Sequence, residues 1–452
     1  MKENNISRRS FLRRSAAATA AIAGINTPGS GAPSQKASGK SEGQMTMRSC
    51  GEDRVSLLGY GCMRWPYMTG ADGREVLDQD KINVLIDSAI EHGINYFDTS
   101  PVYCQGQSEE AAGKALARHP RDKWMIATKM SSYGRDFGEK QREESIKMYH
   151  ESMRKLQVDY IDYYLLHSVG GGGMERLHKR LLDIGLLDYF LEERRLGHIR
   201  KLGFSFHGDV KVFDYLLSIH DQVHWDFVQI QMNYVDWHHA SGRNVNAEYL
   251  YGELHKRGIP AIIMEPLLGG RLADLPDHLA ARLQQKRPDE SLASWAFRFC
   301  GTYEGVMTIL SGMRFVEHIE DNARTLSPLD PCSEEELVLL EEIATLRQQY
   351  PLIPCTSCQY CMPCPYGLDI PGIFEHYNAA VTEGLIADGK EGRDYRRTRR
   401  AYLVSYGRAV DKQRQADHCT GCRICMPHCP QQIHIPEEMQ RLDKMVESLK
   451  QY

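Results

Sequence analysis

Eight short apolar runs, separated by helix-like or loop segments, occupy the middle of the chain and constrain its fold more than any other feature. They fall at residues 58–61, 95–98, 125–128, 160–166, 201–206, 227–232, 261–264 and 306–310. Between them, apolar residues recur at helical spacing over 80–91, 108–117, 142–156, 210–219 and 316–323. Strands that alternate with helices predict a parallel sheet with crossover connections. Eight such units over about 285 residues have the size of a closed (β/α)8 barrel. The alternative, a doubly wound open sheet, would want a glycine-rich dinucleotide turn after an early strand, and none stands there. A hairpin pattern, 46–49 and 54–57 around a turn at 50–53, precedes the first run.

In a barrel of this kind the chemistry sits at the C-terminal ends of the strands, which filters the candidate residues. Asp98 closes the second run, Tyr103 lies in the loop beyond it, Lys129 ends the third, and His167 ends the fourth. These four types suit carbonyl reduction, in which a proton must reach an oxygen where negative charge develops. A tyrosine hydroxyl can give that proton, and an ammonium nearby favours the phenolate it leaves behind. Lys129 is expected to supply the ammonium, Asp98 to hold Lys129 as its counter-ion, and His167 to orient the carbonyl.

Gly93-Ile94-Asn95-Tyr96-Phe97-Asp98-Thr99-Ser100-Pro101-Val102-Tyr103, Lys129 and Asp159-Tyr160-Ile161-Asp162-Tyr163-Tyr164-Leu165-Leu166-His167, with the hairpin, resemble the aldo-keto reductase family over residues 46–330. That family carries a catalytic Asp, Tyr, Lys and His in this order. The resemblance implies an NADP(H) or NAD(H) site, with Ser205 and Gln229 on the nicotinamide carboxamide and Pro266, Leu267 and Gly270 against the dinucleotide. Met264 falls where many members stack a tyrosine under the nicotinamide. Gly312 replaces the basic turn that binds the 2′-phosphate, Arg314 is the compensating cation, and Glu317, Asp321 and Asn322 fall near the adenine. NADP and NAD both remain open. Trp65, Tyr67 and Trp237 are expected to line a pocket for a small-molecule carbonyl or alcohol: an aldehyde, a ketone or a sugar.

Eight of the 13 cysteines crowd into two motifs near the C-terminus. Cys355-Thr356-Ser357-Cys358-Gln359-Tyr360-Cys361-Met362-Pro363-Cys364-Pro365 is one residue shorter before its last cysteine than Cys419-Thr420-Gly421-Cys422-Arg423-Ile424-Cys425-Met426-Pro427-His428-Cys429-Pro430. The repeat continues past the cysteines, because Leu368-Asp369-Ile370-Pro371 is echoed by Ile433-His434-Ile435-Pro436. Zinc sites of four cysteines need neither the third cysteines nor the Cys-Pro ends, and thiols at three-residue spacing make poor disulfides. The motifs resemble a two-cluster bacterial ferredoxin domain. That resemblance implies two 4Fe-4S clusters, one on Cys355, Cys358, Cys361 and Cys429, the other on Cys419, Cys422, Cys425 and Cys364. Cys50, Cys62, Cys104, Cys300 and Cys332 read as ordinary buried or half-buried thiols, and the basic run 393–400 as a solvated helix face.

The expected architecture is α/β: a (β/α)8 TIM barrel over 45–332, then a small, mainly helical ferredoxin-like iron-sulfur domain over 333–452. Residues 1–44 read as an address, since Ser7-Arg8-Arg9-Ser10-Phe11-Leu12-Arg13 precedes an Ala-rich stretch and a Gly/Ser/Pro linker. This resembles a twin-arginine (Tat) export signal, which implies the Tat machinery as a partner and a periplasmic or extracytoplasmic location. The apolar run 16–25 is far short of the about 20 residues that cross a bilayer, so no transmembrane segment is expected. A net charge of −5 makes nucleic acid a poor partner. The expected activity is NAD(P)(H)-dependent carbonyl/alcohol interconversion linked to 4Fe-4S electron transfer and to a redox partner protein. The alternative is an iron-sulfur electron carrier whose barrel is a docking scaffold.

Overall fold

The computed structural model describes residues 43–70, 73, 75–132, 138–242, 244–386 and 394–451, and the twin-arginine segment lies outside the described residues. A hairpin of β1 (Met47–Cys50) and β2 (Asp53–Ser56) leads into β3 (Leu58–Gly61), the first barrel strand, and a second hairpin follows in β4 (Tyr67–Thr69) and β5 (Glu75–Leu77). The remaining barrel strands are β6 (Tyr96–Asp98), β7 (Met125–Met130), β8 (Ile161–Val169), β9 (Ile199–Phe206), β10 (Phe227–Gln231), β11 (Ala261–Met264) and β12 (Val306–Ser311). All eight pair in parallel in the order β3-β6-β7-β8-β9-β10-β11-β12, and β12 returns to β3 to close the barrel. The second hairpin has no counterpart in the sequence expectation, and the eight strands do.

Strands covered on both faces carry near-continuous apolar runs, and β8 is buried at every position but Ser168. Inside the barrel, Tyr96, Tyr163, Leu165, Phe227, Ile262 and Leu310 fill the lumen together with Cys50 and Val55 of the first hairpin. That hairpin therefore plugs the N-terminal end. Arg48 fastens it by donating to the carbonyls of Gly301 and Glu304. The C-terminal end is left to the loops that carry the candidate residues.

Helix Glu334–Arg347 starts at a capping box of Ser333 and Glu336 and buries Leu340, Ile343 and Ala344 in the same apolar cluster as the barrel and its outer helices. The barrel cluster thus extends past residue 332, where the sequence boundary falls. A second cluster begins at Ile353 and gathers Phe374, Tyr377, Tyr402, Tyr406, Met439 and Leu442 from helices Ile370–Thr382, Tyr395–Ala409 and Ile435–Lys450. The sequence repeat becomes two equivalent helix starts, with Pro371 and Pro436 in first turns where a missing N–H costs nothing. Each start follows one cysteine motif.

Candidate functional site

The register of β6, β7 and β8 brings the four expected residues to one end of the barrel. Lys129 is wholly buried, and its Nζ donates to Asp98 Oδ1 at 2.5 Å and to the Thr99 carbonyl at 2.7 Å. Burial pushes the Asp98 carboxyl up and the Lys129 ammonium down, and each opposes the other's shift by its charge. The ammonium lies 4.8 Å from the Tyr103 ring centre, on the ring face. Tyr103 opens a one-turn helix, Tyr103–Gly106, just beyond β6, and its ring meets His167 edge-on at 6.0 Å. His167 Nδ1 is 2.6 Å from Ser131 Oγ, which in turn pairs with Ser100 Oγ at 2.8 Å. Burial with Lys129 and Arg180 nearby holds the His167 imidazole neutral, well below its ordinary value. The arrangement can hold a proton on Tyr103 beside a fixed cation and a neutral, oriented imidazole.

The residues expected around a dinucleotide are engaged elsewhere. Gln229 Nε2 donates to Asp98 Oδ2 at 3.3 Å, and Ser205 Oγ accepts the Ser168 N–H at 2.8 Å. Asn322 Nδ2 is spent on Ser311 Oγ at 3.1 Å, while Arg314 is exposed. Pro266, Leu267 and Gly270 form the turn after β11, and the iron-sulfur domain packs on that turn. A Cβ on Gly269 would stand 2.5 Å from Thr356 Cα. Arg64, from the loop after β3, donates to the carbonyls of both Gly269 and Thr356. Arg271 donates to the Ile353 carbonyl, and Gln431 Nε2 to Gln231 Oε1 at 3.3 Å. With the chain's own segment 353–358 against it, this turn is closed to a dinucleotide in the present arrangement.

The eight motif cysteines fit clusters. None is in a disulfide. Cys355, Cys358, Cys361 and Cys429 share the lining of one small cavity. Cys361 feels the charges of the other three and, more weakly, that of Cys425, while Cys425 feels those of Cys419, Cys422 and Cys364. The fourth cysteine of each motif has therefore crossed to the other set, including Cys364 after its shortened spacing. Among the described residues, no three Cys, His, Asp or Glu side chains converge on a single-ion site. A cubane suits such a set, because each thiolate binds its own iron. Burial pushes the Cys358 thiol up to about 12 and the Cys425 thiol to about 11, so these side chains would become thiolates only on binding a cation strongly.

The two halves meet over Tyr103. Tyr360, between Cys358 and Cys361, lays its ring 6.4 Å from that of Tyr103, tilted by 30°. A cavity of about 820 Å³ runs from Trp65, Tyr67, Tyr103 and His207 at the barrel mouth to cysteines of both motifs. Trp237, expected beside it, instead packs on Tyr303 at 4.5 Å, away from this cavity. Sequence reasoning missed Arg64, His207 and Tyr360. For Tyr360 a signal existed in the aromatic residue between two expected ligands; Arg64 and His207 carry none, since their roles depend on loops distant in the chain. Of the other five cysteines, Cys50, Cys62, Cys300 and Cys332 are buried and Cys104 half-buried. The basic run exposes Arg396, Arg397 and Arg400 on helix Tyr395–Ala409; Arg393 lies outside the described residues.

A closed parallel barrel with an acid, a phenol, an ammonium and an imidazole at its mouth, capped by paired cysteine motifs, defines an oxidoreductase class. A family model for the Aldo/keto reductase family matches residues 57–344, and the chain belongs to that family. A model for the 4Fe-4S dicluster domain matches residues 354–434, so an iron-sulfur domain of ferredoxin type follows the barrel. The chain is similar to L-galactose dehydrogenase of Arabidopsis thaliana, 26% identical over 310 residues that cover 65% of this chain and 91% of the relative. A probable aldo-keto reductase of Glycine max is 40% identical over 119 residues, 25% of this chain and 33% of that protein. Among solved structures, an aldo-keto reductase from Bacillus halodurans superposes with a TM-score of 0.51 at 24% identity, covering 66% of this chain and 96% of that one. One from Klebsiella pneumoniae, in complex with NADPH, gives 0.51 at 21% identity over 67% and 95%. At these identities the structures establish the shared fold.

Proposed function

We propose that this chain is an oxidoreductase that interconverts a small carbonyl compound and its alcohol at the barrel mouth, linked to electron transfer through two 4Fe-4S clusters and a redox partner protein. Cys355, Cys358, Cys361 and Cys429 hold one cluster, and Cys419, Cys422, Cys425 and Cys364 the other. When bound, each supplies or accepts one electron at a time. Tyr103 gives the proton to the carbonyl oxygen in the reducing direction, Lys129 steadies the charge left on the phenol, Asp98 keeps Lys129 in place, and neutral His167 orients the oxygen. The observation that carries this reading is the Tyr360 ring against Tyr103, where the acid–base residues meet the cluster loop.

Replacing Tyr103 by Phe tests it. Turnover should fall by about 10²–10⁴-fold while iron content and the reduced-cluster EPR signal stay unchanged. Unchanged turnover would favour the alternative, an electron-transfer protein with the barrel as docking scaffold, which the close covering of the barrel mouth by segment 353–358 supports.

A second reading for the redox carrier retains NADP(H) or NAD(H), favoured by the Klebsiella neighbour in complex with NADPH. It requires segment 353–358 to withdraw from Gly269 so that Pro266, Leu267 and Gly270 become free, with Ser205, Gln229, Arg314 and Asn322 as further contacts. Export by the Tat machinery to the periplasm or another extracytoplasmic space is part of the same proposal, supported by Arg8 and Arg9 before the Ala-rich stretch. Paired Arg8→Lys and Arg9→Lys substitutions should retain the protein in the cytoplasmic fraction.

A further inference from the structure

The cavity that reaches Tyr103 shows which carrier the barrel mouth is built to meet. Cysteines of both motifs line it, whereas of the residues expected on a dinucleotide only Arg314 does. The chain itself closes the turn at Gly269 with Thr356, and Gln229 and Ser205 already bond Asp98 and Ser168. Arg64 bridges that turn to Thr356, filling the gap between the loops after β3 and β11 with its own side chain. From the ligand pair Cys358 and Cys361, Tyr360 leads straight to Tyr103.

We infer that the cluster on Cys355, Cys358, Cys361 and Cys429 stands in the dinucleotide's place as the redox partner of the Tyr103 site, and that the substrate is a conjugated dicarbonyl, a quinone or a vicinal diketone. The inference rests on the acid–base reading of Tyr103, names the carrier, and replaces carbonyl/alcohol interconversion by reduction at the two oxygens of a conjugated dicarbonyl. A nicotinamide delivers two electrons as hydride, which suits an isolated ketone or aldehyde. A cluster delivers one electron at a time, and an isolated carbonyl has nowhere to spread the unpaired electron. In a conjugated dicarbonyl it is delocalised over both oxygens. The substrate takes up two electrons and two protons, forming two O–H bonds and no C–H bond. A quinone becomes its hydroquinone, and a vicinal diketone becomes an enediol. Tyr103 donates one proton and is reprotonated from solvent, which also supplies the second. Both electrons come from reduced clusters, which return to their oxidised state and are reduced again by a low-potential one-electron donor protein. Tyr67 and Tyr360 line the same cavity and give it aromatic walls for such a ring.

The iron-loaded full-length protein should be titrated with NADPH and with NADH, following nucleotide fluorescence. Dithionite-reduced protein should also be mixed anaerobically with a naphthoquinone, following the return of the visible cluster absorbance. The expected results are no saturable nucleotide binding at millimolar concentration and quinone-driven re-oxidation that Tyr360→Ala slows by about tenfold at unchanged iron content. Tyr360→Phe, which keeps the ring, should re-oxidise close to the unsubstituted rate. Saturable micromolar NADPH binding overturns the inference and leaves the Tyr103 reading intact. Re-oxidation equally fast in Tyr360→Ala also overturns it, because electrons would then leave through the exposed Cys422 side. Failure of the Tyr103 reading shows separately, as turnover that Tyr103→Phe does not change.

Discussion

Asp98, Lys129, Tyr103 and His167 were legible in the sequence because four reactive residue types in a fixed order at strand ends seldom arise from packing alone. What the sequence could not reveal is how tightly two of them are sealed. Lys129 and Asp98 are 0% and 2% exposed, so each is the other's main source of charge stabilisation. Asp98→Asn strands a buried ammonium, and it should cost about 3–5 kcal/mol in urea unfolding, well beyond the median for surface pairs. His207 was invisible to sequence reasoning, since only the packed loops show that its ring is half-buried at the cavity wall and that its Nδ1 is shut in without a hydrogen-bond partner. Burial pushes it down to about 4 from 6.5. Between those values the unfolded chain binds a proton that the folded chain does not. Its stabilising contribution is therefore present above pH 6.5 and lost as pH falls toward 4. His207→Gln removes that dependence, so the stability difference between His207→Gln and the unsubstituted protein should shift toward the variant across this window, as denaturant midpoints at stepped pH will show.

At the scale of elements, the eight barrel strands followed from apolar runs because a strand covered on both faces must be apolar throughout. Helix Glu334–Arg347 was harder to assign. Its capping box marks where a helix starts, but nothing local says that Leu340, Ile343 and Ala344 bury against the barrel and not against the iron-sulfur domain. Docking between the two parts was equally illegible, because it depends on a glycine that reads as an ordinary turn. Gly269 has φ 73° and leaves no room for a Cβ beside Thr356. Gly269→Ala therefore combines a left-handed conformation, costing about 1 kcal/mol, with a clash against backbone that cannot rotate away. We expect the variant to keep the barrel's far-ultraviolet dichroism but to lose hydrogen-exchange protection across residues 353–358. Full protection there would mean that the turn is not what seats the iron-sulfur domain.

The whole molecule joins a barrel with a large apolar core to a smaller unit whose core comes from helices, while its cysteine motifs are irregular loops. Those loops carry the thiols that would bind the clusters, and burial favours the protonated form of Cys358 and Cys361 when they are unligated. Removing iron by anaerobic chelation should therefore act on the two parts unequally. The barrel retains its strand pairing and its plug of Cys50 and Val55, so its melting transition should stay in place. The motif loops lose their fixed geometry, and with them the seats of Tyr360 on Tyr103, Thr356 on Gly269 and Gln431 on Gln231. A single cooperative melt in the iron-loaded protein should become two transitions in the iron-free protein. Hydrogen exchange should rise at Leu268–Gly270, which the iron-sulfur domain covers, and stay low in β7 and β8. If exchange at that turn is unaffected by iron, the docking contacts stand without the clusters and the barrel mouth stays closed in either state. If it rises, iron loading itself assembles the site, and the protein has its acid–base residues facing their electron source only when both clusters are in place.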